Sequence, residues 1–233
     1  AAIPPIPALG SVAAGIGHLN YPSDVDGGVR TEPLVLRYFD QYIPSLSVML
    51  AARSLNLESK DVKVRLGEGI NLGNLKITTD PFLQMHTYFY KDQGGKPAFP
   101  VDSFFDVYSG KIPADKYRDK IVLIGATAAG VGTTQVTPVS SAMAPVMILA
   151  HSVASILNEH FFVAPTWGFW AEKAVFLAVS LYLILLLPRL KAGMGALVTA
   201  ALFIALLAAH FGLMAGQGMW LQLMVHAVLL LAG

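Results

Sequence analysis

The chain of 233 residues balances 16 Lys/Arg against 15 Asp/Glu and has no cysteine, which excludes disulfides and thiolate zinc sites and implies no nucleic-acid partner. Its 55% hydrophobic and 13% charged side chains average two different solvents. Every charged residue except Glu172, Lys173, Arg189 and Lys191 precedes Trp167, so a stretch of ordinary soluble composition, long enough to bury its own core, is followed by a third suited to lipid.

The start, Ala1-Ala2-Ile3-Pro4-Pro5, has no charged segment leading into an apolar one, so no signal peptide is visible. A domain outside a membrane needs an export device, and an N-terminal portion is therefore expected outside this sequence. A short helix is expected over Ala8–Ala14. Gly15–Tyr21 alternates as a strand, Asp24-Val25-Asp26-Gly27-Gly28 is a dense turn signal, and Val29–Phe39 reads as a second strand that pairs with the first as a hairpin. The apolar spacing of Ser45–Leu57 is helical, with Pro44 and Ser45 suited to its start. Short strands are expected at Val62–Leu66 and Leu75–Thr78, separated by Gly67-Glu68-Gly69. An aromatic run, His86–Tyr90, then leads to a Gly-Gly turn, and Ser103–Ser109 fits a short helix closed by Gly110.

Ile121-Val122-Leu123-Ile124 is β-branched and wholly apolar between Lys120 and Gly125, the pattern of a strand buried on both faces. After a loop of Gly, Thr and Ser, Val146–Leu157 resumes a helical period. The expected fold class is a mixed α/β domain over residues 1–163 with that buried strand at its centre, followed by a transmembrane α-helical region. A bilayer core of roughly 30 Å needs about 20 apolar residues. Ala174–Leu187 meets that length once Trp167–Ala171 dips into the interface, so residues 164–191 hold a first span and its turn. Residues 192–214 are a second span, and residues 219–233 begin a third that is truncated where the sequence stops. The only charges between the first two spans are Arg189 and Lys191, which the positive-inside bias puts in the cytoplasm; Trp167, Trp170 and Trp220 then fall at the outer interface, with the soluble domain outside.

Little catalytic chemistry is written here. Asp24-x-Asp26-Gly27 begins like a calcium loop, but the sixth and twelfth positions are Val29 and Val35, so a turn with Arg30 folded back on its carboxylates is the better account. Gly125–Thr134 follows the expected strand as phosphate-cradling loops do, yet no lysine lies between Lys120 and Lys173. The six histidines form no metal spacing, and there is no Gly-x-Ser-x-Gly elbow. His210 lies near the outer interface, whereas His226 sits inside the third run and must face a helix or another subunit. No enzyme activity and no cofactor are implied.

Asn20-x-x-x-Asp24-x-Asp26-Gly27-x-x-Arg30, Pro33-Leu34, Ser45-Leu46-Ser47, Lys120-Ile121-Val122-Leu123-Ile124-Gly125-Ala126-Thr127-Ala128 and Thr137-Pro138, in this order, resemble the C-terminal part of the type 2 CHASE sensory domain and its three-span region. The resemblance implies an extracytoplasmic sensor in the bacterial inner membrane, multi-pass, its soluble domain periplasmic and its missing start and first span N-terminal to this sequence. Such sensors relay a signal to a cytoplasmic cyclase or kinase. Thr133 stands where the family commonly has Asp, and Pro145-Val146-Met147-Ile148-Leu149-Ala150 where its helix commonly begins Gly-Val-Glu-Ile-His-Ala. The ligand or sensor candidates are Asp24, Asp26, Arg30, Thr127, Thr133 and His151; Met147, Leu149 and His226 are candidates for packing on a partner. Expected partners are membrane lipid, a small ligand, and a second copy of the chain or other integral membrane subunits. The lost polar groups also suit an alternative, a non-enzymatic subunit of a larger membrane complex that keeps the sensor fold without its ligand.

Overall fold

Pro7 opens a single helical turn, α1 (Pro7–Gly10), at the position where its missing N–H is no loss. The structure is a computed structural model that describes residues 3–128, 130–163, 165 and 167–232. The chain divides into two compact units, Ala1–Phe161 and Phe162–Gly233.

In the first unit the expected hairpin does not form. Residues 15–21 carry only an isolated parallel bridge, His18 to Ser45, in which the His18 N–H donates to Pro44 and the Leu46 N–H to His18. The turn at Asp24–Gly28 is present, but it directs Val29 to the carbonyl of Val136 rather than back along the chain. The run after it splits at Leu34 into β1 (Thr31–Pro33) and β2 (Val35–Tyr38). A tight turn with Phe39 at φ 53° folds β2 onto β3 (Gln41–Pro44), while Pro33, which has no N–H, ends the β1 ladder.

Ser45 caps α2 (Leu46–Ser54), its Oγ accepting the N–H of Val48 at 3.3 Å. An antiparallel meander follows: β4 (Val62–Arg65), β5 (Gly69–Leu72) and β6 (Leu75–Thr78). β5 occupies ground read from the sequence as a separator, and Gly69 is what makes it fit. Its φ is 136°, and a Cβ there would lie 2.0 Å from the carbonyl oxygen of Ile77. β7 (Gln84–Thr87) pairs antiparallel with β1. α3 (Phe104–Tyr108) is closed as expected by Gly110, at φ 76°.

The central strand is not where the sequence placed it. Residues 121–124 form no strand, and Ile121, Val122 and Ile124 are 42, 50 and 77% exposed. A β-branched run prefers extended backbone, but burial on both faces needs strands alongside it, and among the described residues none pairs with it. The run is anchored only at its end, where Gly125 abuts Val146 so closely that a Cβ would sit 2.5 Å from the Val146 Cβ. The hairpin of β8 (Gln135–Thr137) and β9 (Ser140–Met143) leads into α4 (Pro145–Leu157), and β10 (Phe161–Phe162) completes the sheet β1-β7-β10. The core lies between α2, α4 and the small sheets: Leu34, Val48, Ala52, Ile70, Ile77, Met85 and Ile156 are all fully enclosed.

The second unit is helical. α5 (Gly168–Leu181) continues through a π turn, in which the Leu187 N–H reaches the carbonyl of Tyr182, to a last tight turn at Arg189. Pro188 cannot donate to the ladder, and the helix ends there. The Gly168–Arg189 helix and α6 (Ala192–Gln217) have 22 and 26 residues, about 33 and 39 Å at 1.5 Å per residue, and both are apolar enough to cross a membrane. The Tyr182 hydroxyl joins them through Thr199 Oγ1 at 2.7 Å. α7 (Leu223–Ala232) has 10 residues and rises about 15 Å, half a bilayer core, so the third crossing expected from the sequence is not shown.

Candidate functional site

The Asp24–Arg30 turn is closed on itself. Arg30 Nη1 donates to Asp24 Oδ2 at 2.6 Å and to Asp26 Oδ1 at 2.8 Å, Nη2 donates to Asp26 Oδ2 at 2.6 Å, and the Gly28 N–H also reaches Asp26. Asp26 is held far below the usual carboxylate range, first by the Arg30 hydrogen bonds and then by the Gly28 N–H. These oxygens are occupied by a guanidinium, which makes the turn structural. A group so depressed contributes stability above its ordinary pKa that is lost as pH falls through the folded value. Arg30→Gln is expected to return Asp26 to the ordinary range, read by carboxyl-carbon NMR titration; an unchanged Asp26 titration would refute the clamp.

The other candidates are not gathered into one place. Thr127 and Thr133 stand exposed on the loop between residue 125 and β8. Met147 is half-buried against Val29, Met143 and Ile148, and Leu149, two residues on and therefore on a different side of α4, is 5% exposed. His226, in the second unit, is 7% exposed and edges onto Phe176 of α5, so it faces a helix of its own chain.

His151 does belong to a constructed site. α4 turns His151, Ser152 and Ser155 inward, all buried, to meet the chain that continues from β7. The Tyr90 N–H donates to His151 Nδ1 at 3.1 Å, which leaves the imidazole proton on Nε2. The Tyr88 N–H donates to Ser155 Oγ at 3.0 Å, and the Ser155 hydroxyl can return to the Tyr88 carbonyl at 3.1 Å. Side chains of a helix thus supply the partners that a neighbouring strand would offer. Phe99 stands edge-on to the imidazole at 4.9 Å, and Tyr90 stacks on it at 5.9 Å.

Burial lowers His151 to about 4, and His18 likewise to about 4. Histidines whose folded pKa lies below the unfolded value contribute stability that is complete above about 6.5 and lost as pH falls toward about 4. The midpoint of thermal unfolding is therefore expected to drop between pH 7 and pH 5, with both imidazole resonances remaining in the neutral position until the fold gives way. Titration of both rings near 6.5 with the fold intact would contradict this.

One buried acid was passed over in the sequence. Glu32, in β1, is 2% exposed, and its Oε1 accepts the Ser47 hydroxyl at 2.7 Å. Ser45 and Ser47 lie 2.8 Å apart, and with the Ser47 proton committed to Glu32, the Ser45 hydroxyl must donate to Ser47 while accepting from the Val48 N–H. The proton order is therefore fixed from the helix cap to the carboxyl. Ser152 of α4, 3.4 Å from Thr87 Oγ1, lies on the other side. Burial pushes the Glu32 carboxyl up, against the Ser47, Ser152 and Ser45 hydroxyls that favour its charge. Glu32 Oε2, the Tyr21 hydroxyl and His18 Nε2 are the buried side-chain polar atoms without a hydrogen-bond partner among the described residues. Burial, and after it the charge of Glu32, raises Tyr21. The available signal was an acid inside an apolar strand, with two serines at the start of the next helix.

This cluster ties β1 and the α2 cap to α4; among the described residues no group of acid and histidine side chains could hold a metal. Neither a curated protein nor a solved structure matches the chain. The family model of the CHASE2 domain matches residues 2–187, a span that includes the whole Glu32–His151 cluster and reaches Leu187 near the end of the first apolar helix. With most of its length matched, the chain belongs to the CHASE2 domain family, the extracytoplasmic and non-catalytic sensor domains of signalling proteins.

Proposed function

We propose that the first unit is the periplasmic sensor of a bacterial inner-membrane signalling protein and that the apolar helices carry its state to a cytoplasmic output domain. The observation that carries this reading is the coupling of α4 to the buried Glu32 cluster through Ser152: the same helix holds residues 88–90 through His151 and Ser155 and is joined by residues 158–167 to α5. A signal acts only through a difference in its affinity for two states, and a buried polar network changes in steps, because a half-satisfied arrangement is costly. Altering one bond around Glu32 or His151 would reposition α4 against α2. The test is the full-length reading frame beyond residue 233. A cyclase or kinase domain there supports the relay, and a frame ending within a few residues sinks it.

A second reading, an accessory subunit of a larger membrane assembly, is favoured by the apolar surface. Phe104, Phe105 and Tyr108 of α3 are 65, 71 and 82% exposed, as is much of residues 121–124. Purification of the native complex in mild detergent separates the two. Stoichiometric integral subunits support this one, and a homodimer carrying its own output domain supports the first.

A further inference from the structure

Within the second unit, the first turns of α5 and α7 enclose a cleft of about 270 Å³ whose walls include Glu172, Lys173, Gln222 and His226. Polar and ionisable side chains are thus gathered on one cleft in a unit whose helices are otherwise apolar. Glu172 Oε1 accepts the Gln222 N–H at 2.7 Å, which keeps Oε2 for an incoming donor. His226 Nδ1 lies 3.2 Å from the Gln222 carbonyl, which can only accept, so Nδ1 is the donor and Nε2 is the ring nitrogen left for a ligand. Lys173 Nζ rests over the Phe169 ring at 4.1 Å and Trp170 at 5.6 Å, held by ring faces rather than by a carboxylate among the described residues. The cleft therefore offers two acceptors at its floor and a fixed cation at its rim. Lys173 precedes Arg189 by about 24 Å of helix, a few ångströms short of a hydrocarbon core of roughly 30 Å, so both long side chains reach its opposite edges by extending outward, and the cleft lies at headgroup level.

We propose that this cleft binds the headgroup of a phospholipid with a primary ammonium, which donates to Glu172 and to His226 Nε2 while Lys173 holds the phosphate. A quaternary choline has no N–H to donate, and a glycerol headgroup has no charge for Glu172. The test is native mass spectrometry of the delipidated chain titrated with phosphatidylethanolamine, phosphatidylcholine and phosphatidylglycerol of identical acyl chains. Charge-assisted hydrogen bonds predict a preference for the ethanolamine lipid over the choline lipid of about tenfold or more. Glu172→Gln retains an acceptor for the Gln222 N–H, so the fold is kept, and the preference should fall to about one-to-one. Lys173→Gln should weaken all three lipids alike. Equal binding of the ethanolamine and choline lipids by the unaltered chain overturns the proposal without reference to any variant, as does a full preference in Glu172→Gln.

Discussion

Glu32→Ala is expected to cost the first unit about 3 kcal/mol or more, and Glu32→Gln less than about 1 kcal/mol. The alanine variant leaves the hydroxyls of Ser47 and Ser152 facing a void, and each unsatisfied buried polar group costs about 1–3 kcal/mol, to which the cavity adds. The amide keeps shape and acceptor, and it replaces a carboxyl that burial already favours in its neutral form. The pH dependence has the opposite sign to that of the histidines. An acid whose folded pKa is raised contributes stability that is complete below its unfolded value and lost as pH rises through the folded one. Glu32→Gln should remove the loss of stability that sets in as pH rises above the ordinary carboxylate range, and keep the opposite contribution of His18 and His151. All three tryptophans lie in the second unit, so the measurement is amide hydrogen exchange of β1 and α2 rather than fluorescence. Unaltered exchange in Glu32→Ala would remove the cluster from any account of how this domain holds together.

Gly69→Ala should be nearly as damaging, by about 3 kcal/mol, through backbone alone. Its φ of 136° strains an L residue by roughly 1–3 kcal/mol, and the added methyl would have to push aside the Ile77 carbonyl, 2.0 Å away, in the β5–β6 ladder. Since Ile70, Leu72 and Ile77 of that meander are core residues, the expected signature is faster exchange of their amides together with those of α2. Gly94→Ala is the control: its φ is 58°, it sits in an exposed turn, and a Cβ there meets nothing within 4 Å. Its cost should stay near 1 kcal/mol. Equal effects at the two positions would show that the Ile77 contact is not what Gly69 provides.

Helices were the legible part of this sequence, because each carries its own signal. Ser45 announces α2 through its cap, Gly110 closes α3, and the long apolar runs of α5 and α6 need no partner to be recognised. Strands were misplaced wherever the partner decided the matter. Val29–Phe39 has one apolar pattern but two partners, β7 and β3, and nothing in its composition tells where Pro33 will cut it. Ile121–Ile124 has the composition of a buried strand, and burial is a property of neighbours rather than of the run itself.

The site divided in the same way. The Arg30 clamp was readable because its members are six residues apart, and His151 because it is a histidine on a helix. Glu32 was not, since its burial is produced by Ser47, fifteen residues on, and by Ser152, far along the chain. The electrostatics followed the packing. An acid among apolar neighbours looks like punctuation until the strand holding it proves to be covered on both faces.

The fastening of residues 88–90 onto α4 is a vernier. Ser155 and His151 stand four residues apart on a helix, a rise of about 6.0 Å. Tyr88 and Tyr90 are two residues apart on extended chain, about 6.7 Å. The two scales run antiparallel and coincide well enough for two marks, the Ser155–Tyr88 and His151–Tyr90 bonds. A third mark would already miss by more than 1 Å. Rotating α4 about its axis would disengage both together, since both lie on one face, whereas tilting it about Ser155 would release His151 alone. The joint therefore opposes rotation of α4 with two bonds and tilting about Ser155 with one.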